Sequence, residues 1–198
     1  LEASPGISRF DHRTNFADAD MSVNSSDSNI SRISQAEAKG FTVLVLEGRM
    51  TWEYSQPFFD AVIGSIERGF GVIVDLSRCI HMDSAVLGTL HELVESAQKS
   101  VADSKVKIQD ASHSLVRTFA ELGMDSVLRS IQMQSIAVPK TRATVEASDG
   151  NLRRQQMRLL KAHEVLASLN DTNRDQFALV VDDLREHLTY SSGMTSPR

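Results

Sequence analysis

The apolar residues of the chain fall into two alternating patterns. Short β-branched runs stand at 41–46 (Phe-Thr-Val-Leu-Val-Leu), 72–74 and 106–108. Continuous apolar runs of this length, bounded by turn residues, read as buried strands. Residues 30–33 form a weaker strand candidate, followed by a turn signal at Lys39-Gly40. Between the runs the period changes. Pro57 suits the first turn of a helix. Phe58, Val62 and Ile66 then repeat every four residues until Gly69 and Gly71 close the segment. Asp83 and Ser84 are two N-cap residues in a row. Behind them Val86, Leu90, Leu93, Val94, Ala97 and Val101 give a second helical face. Leu115, Val116, Phe119 and Leu122 mark a third helix, stopped at Gly123. Residues 127–131 are expected to form a last strand. The order ββαβαβα(β) predicts an α/β domain over 29–138, with helices packed on a sheet.

The flanks read differently. Residues 1–28 are rich in Ser, Asp and Asn and show no period, so a disordered N-terminal tail is expected. Residues 139–150 are polar and turn-rich and read as a linker. Two amphipathic helices follow. The first covers 151–169, with Leu152, Leu159, Leu166 and Leu169 inward. The second covers 173–188, with Phe177, Val180, Val181, Leu184 and Leu188 inward. Asn170-Asp171-Thr172 separates them, and Thr172 with Asp175 resembles a capping box. The expected product is a C-terminal α-helical hairpin over 151–190 and a disordered tail at 191–198. Its apolar faces need cover from the sheet domain, a second copy or another protein. Self-association through these helices is therefore an expectation, tested by mass measurement at two concentrations.

Charge and composition narrow the chemistry. Lys plus Arg number 21 against 26 Asp plus Glu, a net charge of -5. Such a chain has no basic excess with which to neutralise phosphates, so direct nucleic-acid binding is not expected. No apolar run reaches the length of a membrane helix, and membrane insertion is not expected. The first residues lack a secretory apolar core, so a cytoplasmic location is expected. The lone Cys79 rules out an intrachain disulfide and reads as buried packing. His12, His81, His91, His113, His163 and His187 show no metal-ligand spacing and read as surface or boundary residues. Arg153, Arg154, Arg158 and Lys161 read as a solvated helix face. No nucleophile elbow, phosphate loop or dinucleotide fingerprint occurs. No enzyme activity, metal or cofactor is expected.

One stretch is more specific. From Gly71 the sequence runs Val-Ile-Val-Asp75-Leu-Ser77-Arg-Cys-Ile-His-Met-Asp83-Ser84-Ala85-Val-Leu-Gly88. A strand ends in Asp-Leu-Ser, a short loop carries an apolar pair, and Asp-Ser opens a helix. This resembles the STAS domain of anti-anti-sigma factors (anti-sigma factor antagonists). Gly48-Arg49-Met50-Thr51 resembles a second segment of that family, and 114–123, ending Leu122-Gly123, its last helix. The resemblance implies a STAS-type fold, a mixed β-sheet with helices packed on it, and a bacterial partner-switching regulator of transcription. It makes Ser84 the phosphate acceptor. It puts Asp83, Ser84 and Ala85, with Thr51, Trp52 and Glu53 of the neighbouring loop, in the partner-binding surface. The implied partners are an anti-sigma factor serine kinase with a histidine-kinase-like ATPase fold and a PP2C-type serine phosphatase. Ala85, Val86 and Thr51 depart from the family pattern of Ser/Thr, Gly and acid. The rival expectation is a constitutive adaptor, in a lipid-transport ABC complex or a sensory assembly. In that case Ser84 is a plain N-cap worth about 1 kcal/mol.

Overall fold

A computed structural model describes residues 31–99, 106–146 and 150–193. The tail expected at 1–28 and residues 194–198 lie outside the described residues. Five strands form one sheet: β1 (Arg32–Ala38), β2 (Phe41–Met50), β3 (Gly71–Met82), β4 (Val106–Gln109) and β5 (Ala143–Thr144). Their spatial order is β4-β3-β2-β1-β5. β1 is antiparallel to β2 and β5, while β2, β3 and β4 run parallel. Parallel neighbours require crossovers, and α1 (Ser55–Glu67) and α2 (Ser84–Lys99) lie in those connections. Leu44, Leu46, Val72, Val74 and Ile108 share the main core with Phe58, Val62, Leu90, Leu93 and Val94 of these helices. The mixed sheet with helices packed on it agrees with the α/β expectation.

Alternation sends Val43, Val45 and Ile73 to the opposite face, where Ile136 and Val138 cover them. Gln109 anchors this cover. Its Nε2 donates to Asp75 Oδ2 (2.6 Å) and to the Ile136 carbonyl (3.1 Å), and its Oε1 accepts the Ile136 N–H (2.9 Å).

Several expectations need correction. Strand β2 does not end with the apolar run at Leu46, and β3 does not end at Ser77. Both continue, and β3 gains a residue on β2 at two register shifts. Gly48 sits at the second with φ 80°, a backbone that L side chains avoid. Residues 127–131 are not a strand. They belong mostly to a short helix, α4 (Asp125–Arg129), which follows α3 (His113–Glu121), and only Ile131 makes a single bridge to Ile108. Five residues hold too little period to separate helix from strand. The stretch read as a linker carries β5, paired with β1 at Ser34 and Gln35.

The C-terminal hairpin is formed by α5 (Leu152–Ala167) and α6 (Asp171–Gly193). It packs on the sheet domain, and Leu166 and Phe177 join the main core. Leu152 is not inward as expected: it is 69 % exposed. Asn170, rather than Thr172, caps α6, accepting the Asn173 N–H at 2.8 Å. Asn173 Nδ2 in turn donates to the Leu122 and Leu166 carbonyls.

Two buried titratable groups give the fold a pH dependence. Burial pushes the Glu47 carboxyl upward, but Arg32 and Arg78, which donate to it, and the nearby Arg142 hold it below its ordinary 4.5. His91, buried rather than at the surface, is held below its ordinary 6.5 chiefly by desolvation. A depressed carboxyl stabilises the fold above its unfolded pKa, and that contribution is lost as pH falls through the folded value. For His91 the unfolded chain takes up its proton first as pH falls, so acidification again favours unfolding. Urea midpoints are expected to fall as pH drops through 6.5 and again below 4.5. His91→Asn should flatten the first decline. A first decline as steep in the variant as in the parent would show that another group causes it.

Candidate functional site

The site begins where β2 and β3 end side by side. The Asp83 N–H donates to the Met50 carbonyl at 3.0 Å, which brings the 51–53 segment next to the start of α2. Thr51 precedes a 3-10 turn, Trp52–Tyr54, and its carbonyl accepts the Tyr54 N–H at 2.9 Å. That turn lifts Trp52 to 45 % exposure.

Asp83 is the N-cap of α2. Its Oδ1 accepts the Val86 N–H at 3.0 Å, and its carbonyl accepts the Leu87 N–H at 2.9 Å. Ser84 is the first residue of the helix. It does not make the capping bond expected of a plain N-cap, because the longer carboxylate before it already fills that role. The Ser84 hydroxyl instead meets His163 Nε2 of α5 at 2.9 Å. His163 Nδ1 lies 2.8 Å from the Leu159 carbonyl. A carbonyl only accepts, so Nδ1 carries a proton, and in the singly protonated ring Nε2 is the acceptor for the Ser84 hydroxyl.

Ala85 and Val86 point into the protein and are buried. Val86 therefore packs in the core instead of presenting a branched side chain to a partner. A cavity of about 490 Å³ opens between the start of α2 and the hairpin. Trp52, Leu152, Leu159 and Leu184 form its apolar walls, while Asp83, Ser84, Ala85, His163 and His187 also reach it. The structure thus brings Trp52, Asp83, Ser84 and Ala85 together. Thr51 and Glu53 lie in the adjoining turn and are not among the residues lining the cavity.

Two site residues escaped the sequence reading. His163 was read as a surface or boundary residue but is only 6 % exposed, and its ring packs edge-on against Phe177, centroids 5.7 Å apart. Gly88 did carry a signal: glycine inside a helix costs about 1 kcal/mol relative to alanine and often marks a close approach. A Cβ there would stand 2.2 Å from the Ala162 carbonyl oxygen, so α2 and α5 meet backbone to backbone. The basic cluster is also not a plain solvated face. Arg158 is buried, paired with Glu92, and lies over the Phe59 ring at 4.4 Å. Arg154 Nη2 meets Asp60 at 2.7 Å.

Other sequence candidates hold no reactive group. Cys79 is buried, and desolvation pushes its thiol up to about 11, which leaves it protonated. No cluster of three or more potential metal ligands occurs among the described residues. No described helix is long and apolar enough to cross a membrane.

The family model described as Mlab, STAS domain matches residues 33–131. No curated protein matches the chain. The matched span covers half of the 198 residues and contains β1 to β4, α1 to α4 and the Asp83-Ser84 helix start. The chain belongs to the STAS domain family.

Proposed function

We propose that the chain is an anti-anti-sigma-type regulator that holds a protein partner while the Ser84 hydroxyl is unmodified and releases it once Ser84 is phosphorylated. STAS membership supports a regulatory or adaptor role, and the family is generally non-enzymatic. The observation that carries the finer reading is the division of labour at the start of α2: Asp83 caps the helix, which leaves the Ser84 hydroxyl free of any capping role. A phosphate at the first turn of a 16-residue helix faces the positive end of its dipole. It adds a charge of roughly -1.5 to -2, which opposes an acidic docking surface.

The partner in this reading is a serine kinase with a histidine-kinase-like ATPase fold, acting as an anti-sigma factor. It transfers the γ-phosphoryl group of ATP to Ser84 Oγ. A new P–O bond forms, the bond to the bridging oxygen of the β-phosphate breaks, ADP leaves, and a base takes the hydroxyl proton. A PP2C-type serine phosphatase hydrolyses the ester and restores binding. Ser84, Asp83, Thr51, Trp52 and Glu53 form the contact surface, Ala85 being buried beneath it, and the chain works in the cytoplasm without a cofactor or an activity of its own.

The test is differential capture from native lysate with Ser84→Ala and Ser84→Asp baits. The Ala bait is expected to retain an ATP-fold serine kinase that the Asp bait loses, with affinities differing about a hundredfold, or about 3 kcal/mol. Equal capture on both baits would contradict a switch and leave a constitutive adaptor.

A further inference from the structure

Helix α5 lies on the part of α2 that carries Ser84. At Gly88 the two backbones touch, with no room for a methyl group between them. One turn earlier, Ser84 Oγ lies 2.9 Å from His163 Nε2, within hydrogen-bond distance. The tautomer is set by the Leu159 carbonyl, so the hairpin offers Ser84 an acceptor. A neutral hydroxyl satisfies that acceptor. An anionic group does not, because it brings only acceptors of its own.

We propose that the hairpin is a cis-acting cover of Ser84, docked on the neutral hydroxyl and lifted at the N-terminal half of α5 by negative charge on residue 84. This rests on the reading of Ser84 as the modified residue, with the partner gripping the docked hairpin together with Ser84, which stays partly exposed beside it. Three features favour lifting over local adjustment. The contact at Gly88 leaves α5 no slack to slide along α2. The walls of the cavity beside Ser84 are mostly apolar, from Trp52, Leu152, Leu159 and Leu184, with Gln155, Gln156 and His187 also in its lining, so an anion turned into it loses much of its hydration. The Asp83 carboxylate stands next to the new charge and repels it.

The motion has a natural limit. The turn end of the hairpin is fixed by Leu166 and Phe177 in the main core and by Asn173 bonded to the Leu122 carbonyl. The other end carries the exposed Leu152 and Met157. Among the described residues, ion pairs restrain it. Arg154–Asp60 is half exposed and weak. Arg158–Glu92 is buried, but lifting rehydrates both charges together, which recovers much of their desolvation cost.

Amide hydrogen exchange of the full chain tests this, with the parent compared against Ser84→Ala, Ser84→Glu and Gly88→Ala. Ser84→Glu is expected to speed exchange in 152–163 about tenfold or more, equivalent to about 1.4 kcal/mol of docking, with β2 and β3 unchanged. Ser84→Ala, which loses one hydrogen bond and adds no charge, should shift the same amides only a few-fold. Gly88→Ala shows what displacement of α5 looks like. Exchange in Ser84→Glu equal to that in Ser84→Ala, or slower than in the parent, would overturn the cover. Slower exchange would mean that the hairpin grips the anion instead of leaving it. If Gly88→Ala fails to fold, Trp52 decides the matter alone. It is the one tryptophan and lines the same cavity. Its emission should shift to the red in Ser84→Glu relative to Ser84→Ala, and identical spectra would overturn the proposal. No partner enters these readouts. Lifting without selective capture on the Ala bait would defeat the partner reading alone. Selective capture without lifting would defeat the cover alone.

Discussion

Glu92→Ala is expected to destabilise the protein by about 3 to 5 kcal/mol, the usual cost of stranding one partner of a buried ion pair. Arg158 side-chain exposure is 6 %, and Glu92 is the carboxylate that answers it. The Phe59 ring under the guanidinium offers a cation–π contact but no hydrogen-bond acceptor of comparable strength. Arg158 Nε already has no hydrogen-bond partner, so little remains to satisfy the charge. At about 2–4 °C per kcal/mol for a chain of this size, the melting temperature should fall by roughly 10 °C. Calorimetry measures it. The double variant Glu92→Leu/Arg158→Met should recover most of the loss, because paired apolar replacements of buried ion pairs are often neutral. A double variant as unstable as Glu92→Ala would locate the cost in side-chain packing instead of charge.

Gly88→Ala should be the second large effect, and it runs against helix propensity. Alanine is favoured over glycine inside a helix by about 1 kcal/mol, so α2 by itself gains. The added Cβ, however, would stand 2.2 Å from the Ala162 carbonyl oxygen and 2.9 Å from its Cα. Backbone cannot rotate away as a side chain would, and α5 must move outward. A net destabilisation of about 3 kcal/mol is expected, the upper end of ordinary overpacking. Urea unfolding checks it. A variant more stable than the parent would mean that α5 is not seated on Gly88.

Much of the sheet was legible because β2 and the first half of β3 are buried on both faces. That burial produces continuous runs such as Phe-Thr-Val-Leu-Val-Leu. The helix faces were legible for the matching reason, with Phe58, Val62, Leu90, Leu93 and Val94 all buried in one core. What escaped was short or long-range. β5 has two residues and pairs with a strand more than a hundred positions away. α4 has five, and its valine and leucine fit either period. Leu152 belongs to the apolar pattern of α5 yet lies beyond the surface that α5 covers. The site divides the same way. Asp83 and Ser84 were visible as a local motif. Their roles were not: either residue could cap, and only the geometry assigns the cap to Asp83. His163 is 79 positions from Ser84, and nothing in its neighbourhood announces a partner in α2. Gly88 was the one local clue that another backbone comes close.

In the proposed switch, the chemical state of Ser84 decides whether the partner is held. Native chain can be isolated as two pools, partner-bound and free, and phosphate mapped on the peptide carrying Ser84 in each. Ser84 is expected to be unmodified in the bound pool and phosphorylated in the free pool, with phosphatase treatment returning free chain to the bound state. Equal occupancy of Ser84 in both pools would contradict it.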